Sequence, residues 1–283
     1  MNTLTITPIT MKRQMALLVS SLSLILVSGG QPLQAQQSEV DGRQLAELRA
    51  KAEKGDAEAQ CNLGQRLLAP LPSASVAQQH EEGVKWLRKA AEQNHAHAQF
   101  ALGISYLTGR GVAKDEAEAV KWWRKAAAQN LPYAQFELGG CYYNGRGMAT
   151  NYVEAVKWYR KAAAQNFPPA QCWLGACYVE GHGVAQDMAE GVKWLRKAAD
   201  QNHAGAQFSL SIRYANGQGV AKDEAEAYKW LILAAGQGSE YAKQNKTNLE
   251  AIISRAQTAE GKRRANEWLE QRKNASAGTS SKP

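Results

Sequence analysis

Apolar residues recur with helical spacing in two adjacent stretches of the chain. Ala98, Leu102 and Tyr106 lie at i, i+4 and i+8, which places them on one face of a helix. The segment Gly109-Arg110-Gly111 predicts the end of that helix, because glycine readily adopts the left-handed conformation at a helix C-terminus. Asp115 is typical of the N-cap of a second helix. The apolar face of the second helix comprises Ala119, Trp122, Ala126 and Ala127.

This pair of predicted helices recurs along the chain with a fixed period. Tryptophan stands at the same point of five units, 36 residues apart, at Trp86, Trp122, Trp158, Trp194 and Trp230. A fixed period in this range indicates a repeat array, in which each unit packs on its neighbours. A residue required in every unit is expected in the core between helices. The same holds for Trp123, whose equivalents are always large and apolar.

The repeated pattern AxAQxxLGxxYxxGxGVxxDxxEAVKWxRKAAxQ resembles the Sel1-like repeat family, which is related to the tetratricopeptide repeats. The match is strong in the units that begin near Ala96, Tyr133, Ala170 and Ala204, and weaker in the first unit. There, APLPSASVAQQH replaces the Gly-x-Gly loop. The resemblance implies an all-α solenoid of about five 36-residue helix–loop–helix repeats. It further implies a right-handed superhelix, C-terminal closing helices, and a concave side lined by the first helix of each unit, helix A.

The N-terminal residues predict an exported protein. Lys12 and Arg13 precede an apolar stretch, Met15–Val27, which is shorter than the roughly 20 residues needed to span a bilayer. We interpret residues 1–35 as a signal peptide cleaved after Ala35, with an uncleaved anchor as the alternative. The remaining boundaries are a linker (36–42), the repeat array (43–236), capping helices (237–273) and a disordered tail (274–283). The expected location is the periplasm or the medium, with no membrane span after cleavage.

The net charge, the arrangement of basic residues and the cysteine content bear on the class of function. The net charge of +8 falls to about +6 without residues 1–35, a moderate value that does not indicate nucleic-acid binding. The second helix of four units, helix B, carries a Lys, Arg, Lys set that predicts a basic ridge opposite the tryptophans. The ridge residues are Lys85, Arg88 and Lys89; Lys121, Arg124 and Lys125; Lys157, Arg160 and Lys161; and Lys193, Arg196 and Lys197. Four cysteines in an exported chain raise the question of disulfides. We interpret them as small buried hydrophobes, while a Cys141–Cys172 bridge remains open.

No set of residues predicts catalysis. The Gly-x-Gly loops follow helices rather than strands, so they are interpreted as helix ends and not as phosphate-binding loops. His80, His95, His97, His182 and His203 have no cysteine or carboxylate at metal-ligand spacing and are interpreted as surface residues. We therefore expect no catalytic residue, no metal and no cofactor.

The expected function is a non-enzymatic protein–protein interaction scaffold or adaptor in the bacterial cell envelope, acting as a monomer. The alternative is a module that binds an envelope polymer or anionic ligand through the basic ridge. Partner contacts are expected on helix A, at positions that the repeat does not fix. Trp173 is the first candidate and is expected at the edge of the concave groove. The other candidate binding residues are Glu137, Asn144, Glu180 and Asn216.

Overall fold

A computed structural model describes residues 33–69 and 76–279, and the described part is built from helices with no strand. The helices are α1 (Leu33–Glu53), α2 (Ala57–Leu67), α3 (Val76–Glu92), α4 (Ala96–Thr108), α5 (Glu116–Ala128), α6 (Pro132–Asn144), α7 (Tyr152–Ala164), α8 (Pro168–Glu180), α9 (Met188–Asp200), α10 (Ala204–Asn216), α11 (Glu224–Gly236), α12 (Glu240–Glu250) and α13 (Arg255–Thr279). Helices α2, α4, α6, α8 and α10 are the A helices of five units, and α3, α5, α7, α9 and α11 are the B helices. Consecutive helices pack on each other from α1 to α12, and α13 packs back on α11, so the described part of the chain forms the expected α-solenoid.

Local chemistry fixes where the helices begin and end. Asp115 accepts a hydrogen bond from the backbone N–H of Glu118 at 2.9 Å, and Asn151, Asp187 and Asp223 cap α7, α9 and α11 in the same way. The first glycine of each Gly-x-Gly loop adopts the left-handed conformation and ends helix A, as at Gly145. The interpretation of these loops as helix ends is therefore confirmed.

The second glycine of each Gly-x-Gly loop allows the loop to contact the preceding unit closely. Gly147 has a φ of +65°, and a Cβ there would lie 2.4 Å from the carbonyl oxygen of Glu116. Glu116 begins the B helix of the preceding unit, so the loop backbone rests directly on that helix. Gly183 and Gly219 approach Tyr152 and Met188 in the same way. The Gly-x-Gly pair thus ends one helix and docks one unit onto the previous one.

Close approach of helices A and B within a unit depends on a further glycine. A Cβ at Gly139 would lie 2.7 Å from the Tyr159 ring, and one at Gly103 would lie 2.4 Å from Nε1 of Trp123. Trp123 and Tyr159 are both fully buried, which confirms the expected core position of Trp123. Large helix-B side chains therefore cross helix A where it carries no side chain.

Buried glutamines join successive units through a hydrogen-bond ladder. Gln171, near the start of α8, donates to the carbonyl oxygen of Ala163 at 3.3 Å and to Oδ1 of Asn166 at 3.1 Å. Its own Oε1 accepts from Nε2 of Gln201 at 2.7 Å. Asn166 holds a positive φ of 61° in the turn between units. Equivalent rungs are centred on Gln60, Gln99, Gln135 and Gln207.

The two ends of the array differ from the expected boundaries. Helix α1 begins at Leu33, so residues 36–42 belong to a helix and not to a linker. Helix α13 continues to Thr279, so residues 274–279 are helical and not a disordered tail. Trp268 of α13 packs edge-on against Trp230 of α11 with 6.3 Å between ring centroids, closing the C-terminal end as expected. Residues 1–32 of the predicted signal peptide lie outside the described residues.

Replacing Gln171 by leucine tests the ladder. The change keeps most of the volume but leaves the carbonyl oxygen of Ala163 and the amide of Gln201 without this partner. We expect a loss of about 1–3 kcal/mol in the free energy of unfolding, as for other buried polar groups left unpaired. Chemical denaturation measures the loss. The control is Gln65→Leu on the exposed face of α2. Equal stability of the two variants would contradict the structural role of the ladder.

Candidate functional site

The candidate binding surface is the helix-A stripe, which consists of positions that the repeat leaves variable. Its residues are Ala101, Ile104 and Thr108; Glu137, Gly140 and Asn144; Trp173, Ala176 and Glu180; Ser209, Ile212 and Asn216. Ile104, Thr108 and Asn144 are exposed, whereas Trp173, Ala176 and Ile212 are buried. The remaining stripe residues are half-buried, Glu180 and Asn216 among them. The stripe therefore alternates between accessible and packed positions.

Trp173 does not stand at the edge of a groove, and the prediction that it does is wrong. Its side chain is only 7% exposed. The indole stacks on Tyr159 with 5.6 Å between ring centroids and an interplanar angle of 21°. It also meets Tyr143 edge-on at 5.0 Å. The large tyrosines of the third unit create an apolar layer that the indole fills, and the sequence of the fourth unit alone does not reveal this layer.

A polar cluster lies next to this aromatic layer. The hydroxyl of Tyr143 lies 2.8 Å from Nδ1 of His182 and donates to Oε2 of Glu180 at 3.4 Å. The His182 ring stacks on Tyr152 at 4.9 Å, and burial raises the pKa of Tyr143. Glu180 and His182 are thus half-buried and already engaged with protein groups, so Glu180 is less available to a partner than expected.

Glu137 has a different environment. Among the described residues, its carboxyl group forms no hydrogen bond and no ion pair. Burial raises the pKa of this carboxyl, and the positive charge of Arg146 opposes that shift. Asn144, one turn further along the stripe from Gly140, donates to the Gly140 carbonyl oxygen at 3.0 Å and remains exposed. Glu137 and Asn144 are therefore the candidate residues that the structure leaves accessible or unpaired.

Arg213 is a charged residue that the sequence interpretation did not single out. It occupies the position of the buried residues Ser105, Cys141 and Cys177 in earlier units. Burial lowers the pKa of its guanidinium group, and the negative charge of Glu180 opposes this shift. The sequence did contain an indication of this environment, since a basic residue stands here at a position that holds a small residue in the earlier units.

The prediction that the basic ridge lies opposite the tryptophans is wrong. The ridge side chains on the B helices partly cover the tryptophan rings. The ammonium groups of Lys89, Lys125, Lys161 and Lys197 lie 4.1–4.2 Å from the ring centroids of Trp86, Trp122, Trp158 and Trp194. The arginines of the ridge donate to tyrosine hydroxyls of the next unit, as Arg160 does to Tyr178 at 3.0 Å. Trp122 and Trp230 are buried as expected, whereas Trp158 and Trp194 are half-buried. The ridge cations therefore serve the packing of the array.

The cysteines and histidines also have structural surroundings. All four cysteines are free and buried, and burial raises the pKa of Cys61 to about 11 and of Cys141, Cys172 and Cys177 to about 12. Such thiols are neutral and weakly nucleophilic. His95 and His203 cap α4 and α10 and are half-buried rather than surface residues. In the described part of the chain, no group of three potential ligands could hold a metal ion.

Comparison with known families accounts for this architecture. The Sel1 repeat model matches five consecutive segments, 57–95, 96–131, 132–167, 168–203 and 204–239. The chain belongs to the Sel1 repeat family. Sel1 repeat proteins generally mediate protein–protein interactions. A comparison with curated proteins found no match. Across residues 33–69 and 76–279, none of the helices has the length and apolar character needed to cross a membrane.

Among the solved structures similar to this Sel1 repeat protein are two with about one third sequence identity. One is c5321, a protective antigen of uropathogenic Escherichia coli with an SLR fold, which is 33% identical with a TM-score of 0.69. The match covers 80% of this chain and 52% of that one, so the chain spans about half the length of c5321. The other is a Sel1 repeat protein from Oxalobacter formigenes, 34% identical with a TM-score of 0.63, where 72% of this chain and 59% of that chain are covered.

The burial of Trp173 leads to a stability prediction for Trp173→Ala. Removing the indole leaves a cavity between Tyr143 and Tyr159, so we expect a loss of about 3–5 kcal/mol in the free energy of unfolding. Hydrogen exchange should show the loosening in the third and fourth units, because units contact only their neighbours. Trp173→Phe, which keeps a ring in the layer, is the control with a smaller loss. Unchanged unfolding of Trp173→Ala would show that the side chain is dispensable for packing.

Proposed function

We propose that this Sel1 repeat protein is a non-enzymatic scaffold that acts as a monomer and binds a protein partner along the helix-A stripe, on the concave side of the solenoid. The family's general role in protein–protein interaction supports this proposal. The finer assignment to the stripe rests on the chemistry of its side chains, because scaffolds select partners through residues that the fold itself does not require.

The observation that carries the proposal is the contrast between the stripe and the rest of each unit. The ladder glutamines, the glycines and the ridge residues repeat from unit to unit and are engaged in packing or hydrogen bonds. The stripe changes from Glu137 to Trp173 to Ser209, and from Ile104 to Gly140. Ile104 is an exposed large apolar residue, and Glu137 is an unpaired half-buried acid among the described residues. Residues that differ from unit to unit, and side chains without a partner among the described residues, therefore occur together on this face of the A helices.

The alternative, binding of an anionic polymer through the basic ridge, has weaker support. In three units the first ridge lysine pairs with a glutamate on its own helix, at 2.6–3.0 Å. The last ridge lysine lies over a tryptophan ring, and the arginine donates to a tyrosine. An anionic polymer would have to compete with these partners.

We also propose that the protein is exported to the bacterial periplasm or secreted. The support is the short apolar stretch Met15–Val27 after Lys12 and Arg13. The antigenic role of c5321, as its description states it, agrees with a location in the cell envelope. A scaffold in that compartment would assemble or regulate envelope proteins.

Site-specific photocrosslinking in the native bacterium tests the binding face. A photoreactive amino acid at Ile104 or Asn144 should capture the same protein partner, since both side chains are exposed on the stripe. The matched controls carry it at Lys121 or Lys157, which are exposed on the B helices. We expect at least about a tenfold excess of crosslinked product at the stripe. Capture at the controls alone, weakening steeply with salt, would favour the basic ridge.

N-terminal sequencing of the protein from fractionated cells tests export. The mature chain should begin near Gln36 and occur in the periplasm or medium, because the apolar stretch is suited to a signal peptidase substrate. A variant with two arginines in the apolar stretch is the control and should remain in the cytoplasm. Wild-type protein found in the cytoplasm with residues 1–35 intact would contradict export.

A further inference from the structure

A cavity of about 380 Å³ lies on the surface of α3, the B helix of the first unit. Its lining residues all belong to that helix and are Glu82, Lys85, Trp86, Arg88, Lys89 and Glu92. Lys85, Lys89 and Glu92 are exposed, and the indole of Trp86 is 9% exposed. The cavity is therefore open to solvent, and its charged groups are within reach of a ligand.

The first ridge lysine is paired in the later units but not in this cavity. Lys121 of α5 contacts Glu118, three residues earlier, at 2.7 Å, and α7 and α9 carry the same pair. In α3 the corresponding acid is Glu82, whose Oε1 accepts a hydrogen bond from Nε1 of Trp86 at 3.3 Å. The same oxygen also pairs with an arginine of α1. Lys85 consequently has no hydrogen bond or ion pair through its ammonium group among the described residues.

The arginine of α1 explains why Lys85 is left unpaired. By its distance from the ladder glutamine, Arg49 corresponds to the ridge arginines, which donate to a tyrosine hydroxyl, as Arg88 does to Tyr106 at 2.7 Å. In the first unit, Leu67 stands at the tyrosine position, so Arg49 has no hydroxyl to bind there. Its guanidinium instead contacts Glu82 at 2.8 Å. One leucine in place of a tyrosine thus withdraws the acid that Lys85 would otherwise contact.

A second ammonium group lies beside Lys85. Nζ of Lys89 is 4.2 Å from the ring centroid of Trp86, and Lys85 and Lys89, four residues apart, share one face of α3. A lysine ammonium group has three N–H donors, so its contact with the ring leaves donors available to an anion. The methylene groups of both lysines and the exposed part of the indole provide apolar surface next to these donors.

We propose that this cavity binds an acidic side chain of a protein partner, with the carboxylate between Lys85 and Lys89. An apolar residue next to that acid in the partner would contact the lysine methylene groups and the Trp86 indole. The inference concerns a B helix and does not depend on binding at the helix-A stripe. It therefore adds a second contact surface to the proposed scaffold.

The charges around the cavity favour one carboxylate over a continuous polyanion. Of the two acids in the lining, Glu82 is held by Arg49, which lies outside the lining. Glu92 has no hydrogen bond or ion pair through its carboxylate among the described residues. Its carboxylate would repel a second negative charge placed near it. A short acidic segment of a protein therefore matches the cavity better than an anionic polymer that follows the ridge.

The probe is the peptide acetyl-Ala-Leu-Glu-Leu-Ala-amide, added to the full-length protein and followed by nuclear magnetic resonance. The indole N–H signal of Trp86, assigned from Trp86→Phe, reports on the cavity because the indole lines it. We expect a saturable shift of this signal. The peptide with glutamine in place of glutamate should bind about fivefold more weakly, the effect of losing two exposed ion pairs.

Substitutions of two equivalent lysines locate the binding. Lys85→Gln should weaken binding of the glutamate peptide about two- to threefold, because one exposed ion pair is lost. The matched control is Lys121→Gln, which removes the same charge at the same position of the next unit, where the ammonium is already paired with Glu118. It should bind like the wild type. Glu92→Gln should bind more tightly, and thermal melts check that each variant is folded.

Weaker binding in Lys85→Gln, with unchanged binding in Lys121→Gln, supports the proposal. No saturable shift, equal affinity for the glutamine peptide, or unchanged binding in Lys85→Gln would overturn it. Equal loss in the two lysine variants would also overturn it, because binding would then reflect general attraction to the ridge, as for an anionic polymer. Weaker binding in Glu92→Gln would count against it in the same way. Crosslinking on the stripe without binding of the glutamate peptide would remove this inference and leave the proposed function intact.

Discussion

The register between units depends on a polar interaction inside an otherwise apolar array. Each ladder glutamine from Gln99 to Gln207 joins three segments: the end of the preceding helix B, the turn asparagine, and the end of its own helix B. For Gln135 these partners are Ala127, Asn130 and Gln165. Alanine and leucine contacts are tolerant of small sliding motions, whereas a buried amide must find its donors and acceptors. The ladder therefore fixes the spacing at which every other feature of the array repeats.

A fixed spacing separates the residues that build the solenoid from those free to vary. Glycines at the helix crossing, left-handed turn residues and ladder glutamines recur because each unit needs the same geometry. The helix-A stripe carries no such requirement, so Glu137, Trp173 and Ser209 can occupy equivalent positions. One of them, Trp173, is nevertheless buried, because its indole packs against Tyr143 and Tyr159 of the preceding unit. A variable position is therefore a candidate for binding only where the adjoining unit leaves it uncovered.

The sequence predicted the fold well and the site only in part. The 36-residue period, the caps and the Gly-x-Gly ends were sufficient to predict the helices and the core position of Trp123. The ladder was visible as a repeated AxAQ and KAAxQ, but its meaning depends on contacts between units. The burial of Trp173 and the lysines lying over Trp86 and Trp122 likewise arise from side-chain directions. The spacing of residues along the sequence shows which of them share a face of a helix. It does not show which side chains of the neighbouring unit pack against that face.

The third unit shows how such an array accommodates a local departure from the repeat. Tyr159 is the larger, hydroxyl-bearing form of a position that is leucine in the units around Leu87 and Leu195. Its ring packs against Trp173 and Phe136, but its buried hydroxyl has no hydrogen-bond partner among the described residues. Because the stability of a repeat array is approximately a sum over units and their interfaces, the cost of one unpaired group stays confined to the third unit and its neighbours.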